Sequence, residues 1–183
     1  MRSLLQTIQR GLGLLDRAVA WLREHDLLLV SHGLLLLSAS MYLGTGGSIA
    51  FFQIPSFGEF TVDNYAAYIV EPVARATQFF TVMTMVMYVA AVIMLVAERR
   101  SPMRWIPAAV LVLLTGSTLV TIYLIFPYNQ EMRDGITDPA RLHVVLQDWI
   151  RVNWFRFSLW WAMWGCLGVY YSIRLRQALR QHA

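Results

Sequence analysis

Lysine is absent from this chain: all 15 of its basic residues are arginine, a bias that reads as compositional. Cysteine is nearly absent too. The single Cys166 excludes an intrachain disulfide and any multi-thiolate metal site, and is expected to be a packing residue. Charged residues are only 14% of the 183 positions, whereas apolar ones make up 57% and the mean hydropathy is +0.50, beyond a usual soluble domain. No Walker loop, dinucleotide fingerprint, HExxH or nucleophile elbow occurs, which removes the soluble-enzyme mechanisms that motifs reveal. No internal repeat or low-complexity tract interrupts the chain. The N-terminal stretch before His25 has no compact apolar core followed by a small-residue cleavage site, so the first span is expected to stay in the mature protein.

What is present is apolar and comes in blocks. Four stretches, about 27–55, 74–97, 103–126 and 154–173, match the roughly 20 residues that a helix needs to cross a bilayer. The expectation is therefore an all-α protein, a four-transmembrane-helix bundle over residues 26–183, preceded by an amphipathic interfacial helix over residues 1–25. In that first helix Leu4, Leu5, Ile8, Leu12, Leu15, Val19 and Leu22 recur at helical spacing, away from Arg10, Arg17 and Arg23. It suits either a lipid interface or a partner subunit. Arg2, Arg10, Arg17 and Arg23 precede the first span, Arg99, Arg100 and Arg104 fill the turn between the second and third, and Arg174, Arg176 and Arg180 follow the last. The positive-inside rule places those regions, and both termini, in the cytoplasm of a cell whose plasma membrane holds the protein, a bacterial inner membrane being the expected one. The other two loops carry Glu59, Asp63, Glu71, Glu131, Asp134, Asp138 and Asp148, as the outer side should.

Several local signals mark helix ends. Ser40, Gly44 and Ser48 fall at four-residue steps, a spacing that permits close approach of another helix. Pro55 and Pro127 are expected to end the first and third spans, because proline biases its predecessor away from helix. Glu71-Pro72 and Asp138-Pro139 read as a cap followed by a first helical position. Beyond Pro139 nothing forces a break before the end of the fourth span.

The candidate chemistry gathers at the outer ends. On a helix turning about 100° per residue, Trp149, Asn153, Arg156, Trp160 and Trp164 share one third of the circumference, which favours the bundle interior over lipid. Glu71, Arg75 and Gln78 form a second polar stripe at i, i+4 and i+7. A buried Arg156 requires a partner, and Glu71 is the first candidate, Asp148 the second. Gln53, Asn129, Gln130 and His143 are expected at the same depth, around a polar cavity opening outward. His143, with Gln147 one turn on and Glu71, Glu131 or Asp148 near, could serve as a metal ligand or general base. Interface anchoring is the competing reading for the aromatic and basic residues, Arg75 and Arg151 above all. His32 lies inside the first span; haem ligation through it would need a second histidine on a facing helix, whereas His25 and His182 are terminal and His143 is on the opposite side.

Pro127-x-Asn129 after the third span and Trp149-x3-Asn153-x2-Arg156 leading into the fourth resemble the anthrone oxygenase-like family of small four-helix membrane proteins. The long amphipathic N-terminal helix and the extended loop from Glu59 to Glu71 depart from that pattern. The resemblance carries over to Asn129, Trp149, Asn153 and Arg156 alone. It implies oxidation of a phenolic, polycyclic or quinol-like substrate by molecular oxygen, with no cofactor motif in the chain. Such chemistry needs a base and oxyanion donors, here Glu71 or His143 as base and Arg156 and Asn153 as donors. Gln53, Asn129, Trp149 and Trp160 would bind the substrate.

Two further functions compete with this one. An accessory subunit of a larger membrane complex would use its amphipathic helix and aromatic surface for docking. A transporter or channel fares worst, without inverted repeats or mid-membrane charge. The expected partners are the lipid bilayer, a small aromatic or quinone-like ligand, and further membrane subunits or copies of the chain, with no nucleic acid. Neither metal nor cofactor identity is fixed by these residues.

Overall fold

A computed structural model describes residues 2–24 and 26–181, with side chains from residue 11 onward apart from Arg23. His25 and His182 fall outside the described residues. The fold is all-helical: α1 (Arg2–Glu24), α2 (Leu27–Ser48), α3 (Glu71–Glu98), α4 (Trp105–Val120), α5 (Phe126–Asp134) and α6 (Pro139–Gln181). Three helical segments, Leu27–Glu59, Ala66–Glu98 and Pro102–Asp134, are long and apolar enough to cross a membrane. The tryptophan-rich α6 is not among them. Its 43 residues run without a break for about 65 Å, and Asp138 caps it by accepting the Ala140 N–H at 3.0 Å.

The prolines do not end the helices, contrary to the sequence expectation. A π-helical turn stands just before each of three of them: Ile49–Gln53 before Pro55, Ala66–Val70 before Pro72 and Thr121–Ile125 before Pro127. Proline lacks an N–H, and its ring collides with the carbonyl one turn back; a widened turn moves that carbonyl aside and lets the helix continue. Helix α2 thus runs on through Ile54–Glu59, and α4 passes directly into α5. For the same reason Glu71 is not a cap, since helical backbone already precedes it.

Helix α2 packs against α3 and α6, and α4 also packs against α3 and α6, closing a ring. One end of this ring is basic. There Asp16 on α1 pairs with Arg99, and with Arg100 at 2.9 Å, which docks α1 on the turn between α3 and α4. The buried Glu98 accepts from Arg174 and, at 2.8 Å, from the Tyr170 hydroxyl. A core of Leu35, Met87, Met94, Leu114, Met163 and Leu167 fills the ring above this layer, with Cys166 packed against it.

At the far end a second apolar cluster unites Phe57, Tyr65, Ile125, Met132, Leu142 and Trp149. The Tyr65 hydroxyl ties the loop before α3 to the turn before α6, donating to the Met132 carbonyl at 3.0 Å and accepting the Ile136 N–H at 2.7 Å. The close-approach glycine is Gly46 rather than Gly44: a Cβ at Gly46 would lie 2.5 Å from the Phe157 ring, whereas one at Gly44 would meet nothing within 4 Å. Ser40 accepts a hydrogen bond from Trp164 Nε1 at 3.1 Å, and Ser48 is exposed.

Candidate functional site

Between the two apolar clusters lies a cavity of about 400 Å³ reaching all four packed segments. Helix α6 supplies Trp149, Asn153, Arg156 and Trp160, and α5 supplies Asn129. These five are among the residues that the sequence points to, and they face one cavity because the α6 positions recur on one side of the helix.

They are joined by a run of hydrogen bonds. Trp149 Nε1 donates to Asn129 Oδ1 at 2.8 Å, Asn153 Nδ2 donates to the Trp149 carbonyl at 2.8 Å, and Arg156 Nη2 donates to Asn153 Oδ1 at 2.7 Å. Arg156 Nη1 reaches Thr121 Oγ1 at 3.4 Å, a weak contact from the π turn after α4. Asn153 is buried and its Nδ2 is held by the Trp149 carbonyl, which turns Oδ1 to the guanidinium. Its fixed Oδ1 holds the guanidinium toward the cavity.

The expected pairing of Arg156 with Glu71 or Asp148 does not occur. Glu71 pairs with Arg75 at 3.9 Å, both side chains being largely exposed, and Asp148 pairs with Arg151 at 3.3 Å. Glu71, Arg75 and Gln78 project from the face of α3 opposite Val73, Thr77, Phe80 and Thr84, which line the cavity. Among the described residues Arg156 has oxygen partners that are neutral and no carboxylate.

Gln53 and His143 also stay apart from the cavity. Gln53 sits exposed on its π turn, and His143 is exposed and bonded to Gln147 Nε2 at 2.8 Å. Glu131 is bound by Arg141 at 2.6 Å. The carboxylates and the imidazole considered as a metal set are therefore dispersed, and the described residues contain no group of three or more His, Cys, Asp or Glu side chains placed to hold an ion. His32 lies at the basic end, its ring 5.6 Å from that of Tyr170 and its carbonyl accepting from the Tyr171 hydroxyl at 2.8 Å.

Sequence reasoning missed the hydroxyls. Thr77, Thr81 and Thr84 on α3, and Ser117, Thr118 and Thr121 along α4 and its π turn, give the cavity polar atoms inside otherwise apolar spans. The i, i+4 and i+7 spacing of Thr77, Thr81 and Thr84, and the i, i+4 pair Ser117 and Thr121, were the available signal. Tyr42 on α2 donates to the Phe80 carbonyl at 2.8 Å, shares a 2.6 Å hydrogen bond with Thr84, and stacks flat on Trp160 with ring centroids 3.8 Å apart. Trp160 Nε1 and Ser117 Oγ are buried without a hydrogen-bond partner.

Such a site can bind an oxygen-bearing aromatic molecule. Flat rings supply contact area, a guanidinium offers free N–H groups, and buried donors stand ready for an acceptor. No family model, no curated protein and no solved structure matches the chain.

Proposed function

We propose that this chain is a four-span membrane protein, α6 providing the fourth span, that binds a small oxygen-bearing aromatic molecule in its cavity and oxidises it. The ligand class is phenolic, polycyclic or quinol-like. Both termini lie on the basic, cytoplasmic side, where α1 rests at the lipid interface, and the cavity lies toward the outer leaflet.

One observation carries this reading: Arg156 faces a cavity within apolar spans and, among the described residues, meets neutral oxygens only. A cation in a low-dielectric region without a counter-charge costs on the order of several kcal/mol, which a ligand oxygen carrying partial or full negative charge would offset. The reaction class comes from the resemblance of Asn129, Trp149, Asn153 and Arg156 to the anthrone oxygenase-like pattern. In that chemistry an aryl-flanked methylene and dioxygen become a carbonyl and water, so the balance needs no further reductant. Loss of a methylene proton places negative charge on the ring oxygen, and Arg156, oriented by Asn153, would hold that charge. Glu71 and His143 stand outside the cavity, so the base would be ligand-accessible water or a solution base.

An accessory-subunit reading has one observation in its favour, the exposure of Trp154, Phe155 and Trp161 along α6. The test is a titration of the purified protein with a hydroxylated polycyclic aromatic, followed by tryptophan quenching and by dioxygen uptake, with Arg156→Gln in parallel. Saturable quenching and uptake that both fall in a folded Arg156→Gln protein support the proposal. Binding and uptake unchanged by the substitution would sink it, and copurifying subunits without any quenching would favour the accessory role.

A further inference from the structure

The cavity's far wall is apolar and packed. Ile54, Val73, Ile125 and Trp149 line the cavity and belong to, or pack on, the buried far-end cluster. An aqueous mouth at that end, as the sequence suggests, would have to pass through this cluster. On the side of α2 and α6, Phe157 fills the space over Gly46, and the half-exposed Trp154, which also borders the cavity, packs edge-on against Phe51 and Phe157 with centroids 6.4 and 5.9 Å apart.

The side between α3 and α4 differs. Four residues there both line the cavity and remain exposed on the molecule's flank: Thr81 and Met85 on α3, Ile122 on the π turn after α4, and Phe126 at the start of α5. Met85 is 66% exposed and Ile122 46%. Both belong to helices apolar enough to cross a membrane, so the medium beside this rim would be lipid. The π turn contributes by carrying Thr121 toward Arg156 and Ile122 toward the rim in consecutive positions.

The interior end of the same passage is polar and rich in donors. Ser117 and Trp160 sit one helical turn from Thr121 and Arg156 along the same two helices, and their unpartnered Oγ and Nε1 are buried. Carboxylates and imidazoles do not appear among the lining residues. The Trp160 N–H can only donate and the Ser117 hydroxyl can donate as well, so an acceptor oxygen would serve both.

Resting on the ligand-binding reading above, we infer that the ligand is membrane-borne and amphiphilic. It passes from the lipid between Met85 on α3 and Ile122 on the π turn, its acceptor-bearing ring reaching Arg156, Ser117 and Trp160 while an apolar tail stays in the opening. Its substrate class is a ring carrying carbonyl or phenolate oxygens on a hydrocarbon chain.

The experiment uses full-length protein in liposomes and three probes with one para-quinone ring, substituted with a decyl chain, a methyl group or a sulfonate. Quenching of the native tryptophans reports binding. The decyl and methyl probes should bind and the lipid-excluded sulfonate should not. The double variant Met85→Phe with Ile122→Phe should weaken the decyl probe at least about tenfold by filling the opening, and the methyl probe by less than about twofold. The widened pair Met85→Ala with Ile122→Ala should retain the decyl probe, which separates blockage from misfolding. Equal effects of the phenylalanine pair on both probes, or sulfonate binding as tight as methyl, would overturn the lateral passage while leaving the cavity reading intact. Failure of all three probes to bind would overturn both.

Discussion

Arg156 and Arg174 stand on the same helix and live in opposite circumstances. Arg174, at the basic end, is held by the buried Glu98 carboxylate and by Tyr170, and its partly exposed side chain also stacks over the Tyr170 ring. Arg156 meets an amide oxygen and, weakly, a threonine hydroxyl beside a cavity. The first arrangement satisfies a charge within the protein and ties α3 to α6. The second leaves N–H groups and charge unspent, which is why the proposed function places a ligand there.

That contrast can be broken by exchanging what each arginine loses. Arg156→Gln is expected to reduce ligand affinity about a hundredfold while leaving the melting temperature unchanged or higher, because it removes an uncompensated cation. Arg174→Gln should do the reverse, leaving ligand affinity within about twofold but costing about 2 kcal/mol of stability, since the buried Glu98 then loses its arginine partner. Chemical denaturation in detergent, run beside ligand titration, checks both arms.

Smaller effects sharpen the picture around the cavity. Gly46→Ala forces the Phe157 ring aside; the strain should exceed the helix-propensity gain and leave a net loss of about 1.5 kcal/mol, read as a lowered melting temperature. Asn129→Ala strips Trp149 Nε1 of its acceptor and should cost about 1 kcal/mol, with a shift in tryptophan emission as the indole finds water or ligand. Least of all, Glu71→Gln and His143→Ala should each change stability by less than about 0.5 kcal/mol and ligand affinity hardly at all, because both residues are exposed and turned from the cavity. A large loss of turnover in either would restore it as the base.

How legible all this was depended on the element. The face shared by Trp149, Asn153, Arg156 and Trp160 follows from the 3.6-residue period of one unbroken helix, and it lines the cavity as that period requires. The stripe of Glu71, Arg75 and Gln78 is just as periodic, yet period alone does not say which side of α3 faces inward; the neighbouring Thr77, Phe80 and Thr84 do. Charge misled for the same reason, since a nearby Arg75 satisfies Glu71 without any tertiary contact. The rule that proline ends a helix holds for an ordinary α-helix, and a π turn just before each of Pro55, Pro72 and Pro127 lets the helix pass them. Gly46 was hidden because its use is defined by Phe157, far along the chain.

The most direct test of a ligand at Arg156 is mass spectrometry and an absorption spectrum, with metal analysis, on wild-type and Arg156→Gln protein purified in parallel in mild detergent. The account predicts a lipophilic aromatic molecule bearing carbonyl or phenolic oxygen, near one per chain in the wild type and depleted in the variant. An equal amount of such a molecule in both proteins, or none in either, would contradict it.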